Sequence, residues 1–150
     1  MRRSLFTMAI LASQACAGAG EEEPPVDPVE EACLRIEEGT VIDAGPTPEE
    51  ATELTLGSEP WRVGLYPDQV SFVTVTTSGA PVVFLADAAD VFASLSTDGA
   101  EVELPAATEN PVCPQDIPSV LELDLPSGTH TLGVGPHYKA TLWMVLTEQP

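Results

Sequence analysis

The segment SVLELDL, residues 119–125, alternates without a break: Leu121, Leu123 and Leu125 fall on one side of an extended chain, and Val120, Glu122 and Asp124 on the other. A period of two marks a strand buried on one face. Short runs rich in β-branched or apolar residues and bounded by turn formers recur through most of the chain beyond residue 50. They predict strands over 53–56, 61–66, 70–77, 81–86, 91–96, 101–104, 119–125, 129–134 and 138–147. Ser78-Gly79, Asp98-Gly99 and Ser127-Gly128 separate runs at hairpin distances. Many short strands with little helix point to an all-β fold, an antiparallel, jelly-roll-like β-sandwich with one short N-terminal helix.

That helix is predicted in DPVEEACLRIEEG, residues 27–39. Asp27 supplies the N-cap, Pro28 suits the first turn, Glu30 and Glu31 face the positive end of the helix dipole, and Gly39 terminates the segment. Ala32, Cys33 and Ile36 share a face, so Cys33 is expected to point inward. The following TVIDAGPTPEEAT, with its two prolines, reads as a loop.

Before residue 27 the pattern changes in kind. MRRSLFTMAILASQACAGAG has two arginines, an apolar run from Leu5 to Ala12 and then small residues, the layout of a secretory signal peptide too short to span a bilayer. Ser13-Gln14-Ala15-Cys16 resembles a bacterial lipobox, with Ser13 where leucine is usual, and implies lipidation of Cys16 at a new N-terminus. Ala15-Cys16-Ala17 and Ala17-Gly18-Ala19 also suit ordinary signal peptidase, which needs small side chains. Residues 17–29 combine small, acidic and proline residues, the composition of a solvated tether. The expected organisation is a leader over 1–16, a tether over 17–29 and one sandwich domain over 30–150, a size that suits a single core.

Cysteine parity sharpens this. The chain has 3 cysteines, and an exported protein pairs them. Cys33 and Cys113 flank most of the domain and form the natural disulfide. Cys16 is then surplus, either lipidated or discarded with the leader. The expected address is an outer-membrane or periplasm-facing lipoprotein, held to the membrane by a lipid anchor, or otherwise a secreted protein.

Charge narrows the partners. The formal net charge is −19, and the bases are Arg2, Arg3, Arg35, Arg62 and Lys139. Loss of Arg2 and Arg3 with a leader leaves three cations against 24 acidic residues, a net −21. Such a surface repels phosphate backbones, which argues against a nucleic-acid partner.

Candidate chemistry is sparse. His130 shares strand parity with Leu132 and Val134 and reads as a packed core histidine; His137, in GPHYK, reads as a turn residue. No G-x-S-x-G, H-E-x-x-H, C-x-x-C or phosphate-loop motif occurs. No catalytic, metal or cofactor residue is therefore assigned. Asp87, Asp90, Asp98 and Glu101 are oxygen ligands of the kind calcium takes, without the spacing of a dedicated loop. Trp61 and Trp143 are candidates for an aromatic sugar platform.

The run VSFVTVTTSGAPVVFLADAADVFASLSTDGAEV, followed by VLELDLPSGTHTLGVGPHYKATLWMVLTE, resembles the bacterial pre-peptidase C-terminal type of β-sandwich. Asp98-Gly99, Pro126, Gly128, Thr129, Leu132, Val134 and Gly135 fit its pattern, with His130 at the usual aromatic position. The overlap covers residues 70–147. The whole arrangement of leader, acidic tether, E-A-C helix and sandwich also resembles small lipoproteins of myxobacteria. These resemblances imply an envelope address and a role in binding or secretion support, without a catalytic residue. The expected function is a non-enzymatic envelope or surface protein that binds a partner, protein or polysaccharide, or serves structurally. The alternative is a calcium- or carbohydrate-binding module.

Overall fold

The computed structural model of the chain describes residues 27–149; the leader, Cys16 and most of the tether lie outside that range. The described chain opens with α1 (Pro28–Arg35), extended by a 3-10 turn at Ile36–Glu38. The Asp27 carboxylate accepts a hydrogen bond from the Val29 amide at 2.8 Å, the N-cap read from the sequence. The strands are β1 (Thr40–Asp43), β2 (Thr52–Leu54), β3 (Gly57–Gly64), β4 (Ser71–Thr77), β5 (Val82–Ala86), β6 (Phe92–Thr97), β7 (Ala100–Val102), β8 (Thr108–Glu109), β9 (Ser119–Leu123), β10 (Gly128–Val134) and β11 (Thr141–Glu148). All nine predicted strands are present in some form. β1 and β8 are additions, and residues 138–140, expected to open the last strand, form a loop instead.

Two sheets result. One has the order β1-β3-β11-β5-β9-β8, the other β2-β4-β10-β6-β7. Their pairing is nested: β3 with β11, β4 with β10, β5 with β9 and β6 with β7, every pair antiparallel. The innermost turn is Asp98-Gly99, with φ of 50° and 78° and Thr97 paired to Ala100. Two consecutive positive φ values make a tight hairpin turn whose twist suits its strands, and Asp-Gly tolerates them. The other two predicted hairpin turns do a different job. Ser78-Gly79 links β4 to β5 and Ser127-Gly128 leads from β9 into β10, so each carries the chain from one sheet to the other.

The sheets are mixed, which corrects the expectation of purely antiparallel pairing. β1 runs parallel to β3, and β2 parallel to β4. Parallel neighbours need a crossover between them. Here each crossover passes through the opposite sheet: the chain leaves β1, forms β2 in the second sheet and returns as β3.

One core is shared by the two sheets. Val63, Phe84, Leu121 and Leu142 from the first pack with Val73, Val75, Leu95 and Leu132 from the second. Phe84 meets Phe92 edge-to-face across the layers, ring centroids 6.0 Å apart. A fully buried side chain of this size contributes about 2 kcal/mol through removal from water. The opposite face of the six-stranded sheet is also covered. Val83, Leu85 and Val145 pack there against Ala32 and Ile36 of the helical segment and against Ile117. Every residue of β5 is buried as a result. Gly39 ends the helical segment because of a close approach: a Cβ there would collide with the Pro60 carbonyl and crowd the Trp143 ring.

Candidate functional site

Cys33, on α1, and Cys113, in the loop between β8 and β9, are joined in a disulfide with Cα atoms 6.0 Å apart. The pair inferred from parity is the pair formed. Asn110 organises the loop around it. Its side chain is fully buried, with Nδ2 donating toward Cys113 Sγ at 3.4 Å and Cys33 Sγ at 3.8 Å, while Oδ1 accepts from the Val112 amide at 2.9 Å. The Asn110 amide in turn donates to the Pro118 carbonyl.

This arrangement builds a groove of about 570 Å³ on the outer face of the six-stranded sheet, where α1 stops covering it. Buried Val83 and Val120 form its floor. One wall is the start of α1, Pro28 and Val29; the other is the disulfide loop, Pro111 and Val112. The disulfide therefore ties wall to wall. Asp27, Glu109 and Glu122 stand around the groove, all exposed, and none of its lining residues is basic. A hollow of this size lies within the range of ligand sites. Its surface can seat aliphatic groups and attract cations.

His130 sits elsewhere and is fully buried. Its Nδ1 lies 2.7 Å from Thr97 Oγ1, and its Nε2 lies 3.0 Å from both the Pro126 carbonyl and Thr77 Oγ1. A carbonyl only accepts, so the proton belongs on Nε2, and Nδ1 then accepts from the Thr97 hydroxyl. The Thr77 hydroxyl donates to the same carbonyl at 2.7 Å, so one tautomer satisfies every partner. With no solvent-facing nitrogen, this ring is a structural tie between β4, β6 and the turn before β10, as its strand parity indicated. His137 follows the far end of β10, accepts from the Lys139 amide at 3.1 Å and packs on Tyr138 with ring centroids 4.2 Å apart. The two histidines thus occupy opposite ends of the sheets and do not converge.

The four acids considered for calcium are not brought together either. Asp87 bonds Lys139 Nζ at 2.9 Å through Oδ2 and receives the Trp143 amide at 3.0 Å through Oδ1. Asp98 is spent on the hairpin turn. Among the described residues, no group of three or more His, Cys, Asp or Glu side chains is arranged to hold a metal ion. The two tryptophans form no open platform: Trp61 packs against the main core, and Trp143 packs beneath α1 with the Arg62 guanidinium 5.8 Å from its ring centre. Among the described residues the strongly exposed aromatic is Tyr138, 89% accessible.

The groove was not foreseen from the sequence. Its signal was present in the second face of SVLELDL, where Val120 stands beside Glu122. Cys16, the candidate lipidation site, lies outside the described residues. No family model matches the chain, and no curated protein matches it.

Proposed function

We propose that this chain is an exported, non-enzymatic β-sandwich of the cell envelope, anchored through a lipid on Cys16 and used to bind a partner. The observation that carries this reading is the Cys33–Cys113 disulfide. It fits an oxidising compartment, and it uses two of the 3 cysteines, leaving Cys16 as the odd one within a lipobox-like sequence. The acidic, proline-rich residues 17–29 then act as the spacer between membrane and domain. The negative charge supports a partner other than nucleic acid.

The fold is read here as a jelly roll. Support comes from the nested pairs, which describe one long hairpin rolled into two four-stranded layers, with β1, β2 and β8 added at the edges. A jelly-roll reading agrees with the resemblance to the pre-peptidase C-terminal type, and that resemblance supports a binding role.

Intact mass of the protein from the membrane fraction tests the address. A diacylglyceryl-modified chain beginning at Cys16 is the expected species. A soluble chain beginning near Gly18 or Gly20 would overturn the anchor. A second reading, a carbohydrate-binding module, draws on Tyr138, whose ring stands free at a loop and is backed by His137. Its signature is retention on a polysaccharide matrix that Tyr138→Ala abolishes.

A further inference from the structure

The groove beneath the disulfide is more than a gap between elements. Glu122 and Gln149 line it and also line an adjoining hollow of about 270 Å³ with Pro81, Leu123 and Asp124. The depression is therefore a trough along β9, and its acids come at intervals: Asp27, Glu109, Glu122 and then Asp124. They do not converge on a point, as the lack of a metal-binding cluster among the described residues shows. Carboxylates spaced along an apolar floor match cations that are themselves spaced along a chain.

Nothing basic answers these acids within the trough. The three cations among the described residues are engaged elsewhere: Arg35 with Glu31 and Glu38, Lys139 with Asp87, and Arg62 against Trp143. The charged residues that line the trough are all acidic, over a floor of buried valine and beside the exposed Val112. A ligand must therefore bring both aliphatic side chains and positive charge.

We infer that this trough is the docking site for a basic peptide segment, bound extended along β9 with aliphatic side chains on Val83 and Val120 and lysine or arginine side chains toward Glu109 and Glu122. The inference rests on reading the domain as a binding module and names the chemistry of its partner. The disulfide contributes by holding both walls before the ligand arrives, which spares the ordering cost of binding. Opposite charge across the rim speeds encounter and rejects acidic segments.

The test uses the purified mature chain and a fluorescent octapeptide of alternating valine and lysine, followed by anisotropy at low salt. Two control peptides alternate valine with glutamate and serine with lysine. Saturable binding of the valine-lysine peptide alone is expected. The double substitution Glu109→Gln/Glu122→Gln weakens it about five- to tenfold, the loss of two partly screened ion pairs. Val112→Lys, at a side chain 53% exposed, places a cation in one wall and abolishes binding with an unchanged melting temperature. Glu101→Gln/Glu103→Gln, exposed acids at and beside the edge of the other sheet, leaves it intact while removing the same charge. Equal weakening by the two double variants would overturn the proposal, because binding would then follow net charge alone. Binding of the serine-lysine peptide with equal affinity would overturn the role of the valine floor. Failure of the valine-lysine peptide to bind would overturn the site, whereas failure of the envelope reading shows separately in the mass of the membrane-bound chain.

Discussion

Replacing both disulfide cysteines, Cys33→Ser/Cys113→Ser, is the perturbation whose size follows most directly from the fold. The bond closes a loop with a sequence separation of 80. In the chain-entropy account, a cross-link of that length removes about 4.5 kcal/mol of conformational freedom from the unfolded chain. Little of this is offset in the native state. The serine hydroxyls keep acceptors near Asn110 Nδ2, and α1 retains its packing on Val83, Leu85 and Val145 through Ala32 and Ile36. The expected loss is about 4 kcal/mol, which corresponds to a melting temperature lower by about 12–20 °C for a domain of this size. Urea titration should also show a steeper dependence on denaturant, since the uncrosslinked chain exposes more surface on unfolding. A loss below about 1.5 kcal/mol with an unchanged slope would show that the bond does not stabilise the fold by restricting the unfolded ensemble.

Three further outcomes are expected, each read by urea or thermal unfolding. His130→Ala costs about 3 kcal/mol, because it opens a cavity and strands the Thr97 hydroxyl, while the Pro126 carbonyl keeps the Thr77 hydroxyl as its donor; His130→Phe keeps the volume, strands the Thr97 hydroxyl alone and costs about 1 kcal/mol. Gly39→Ala costs about 2 kcal/mol by forcing the Pro60 backbone or the Trp143 ring to move. Asp87→Ala removes the carboxylate partner of Lys139, whose Nζ keeps the Asp87 backbone carbonyl, and the acceptor of the Trp143 amide, and costs about 2 kcal/mol. Asp87→Asn retains an oxygen for that amide and costs under about 1 kcal/mol.

Alternation in single strands was plainly legible. Leu121 and Leu123 face the shared core and Val120 the outer one, as their spacing requires. β1 and β8 escaped because they bury almost nothing: three of the four residues of β1 and both residues of β8 are exposed, so neither carries a periodic pattern. Parallel pairing was illegible for another reason. It depends on which strand lies beside Thr40 and Thr52 after the chain has crossed from one sheet to the other, and no local residue encodes that. Trp143 faces away from Leu142 and Met144 on β11, and the cover supplied by the helical segment makes that side a second interior. The cysteine pair was legible because counting is independent of geometry. The groove was not, since Val83, Glu109, Val120 and Gln149 meet only through folding.

The nested pairing also sets an order of events. β11 lies between β3 and β5, and β10 between β4 and β6, so the two strands that come last in sequence occupy the middle of the two sheets. A chain emerging N-terminus first, as the proposed export demands, can close the β6-β7 hairpin early but holds both sheets split until its final segment arrives. Most of its pairings join distant residues, a topology that folds slowly. Under the proposed export, this connectivity would keep the sheets open during passage, with the seating of Thr141–Glu148 between β3 and β5 as the closing step.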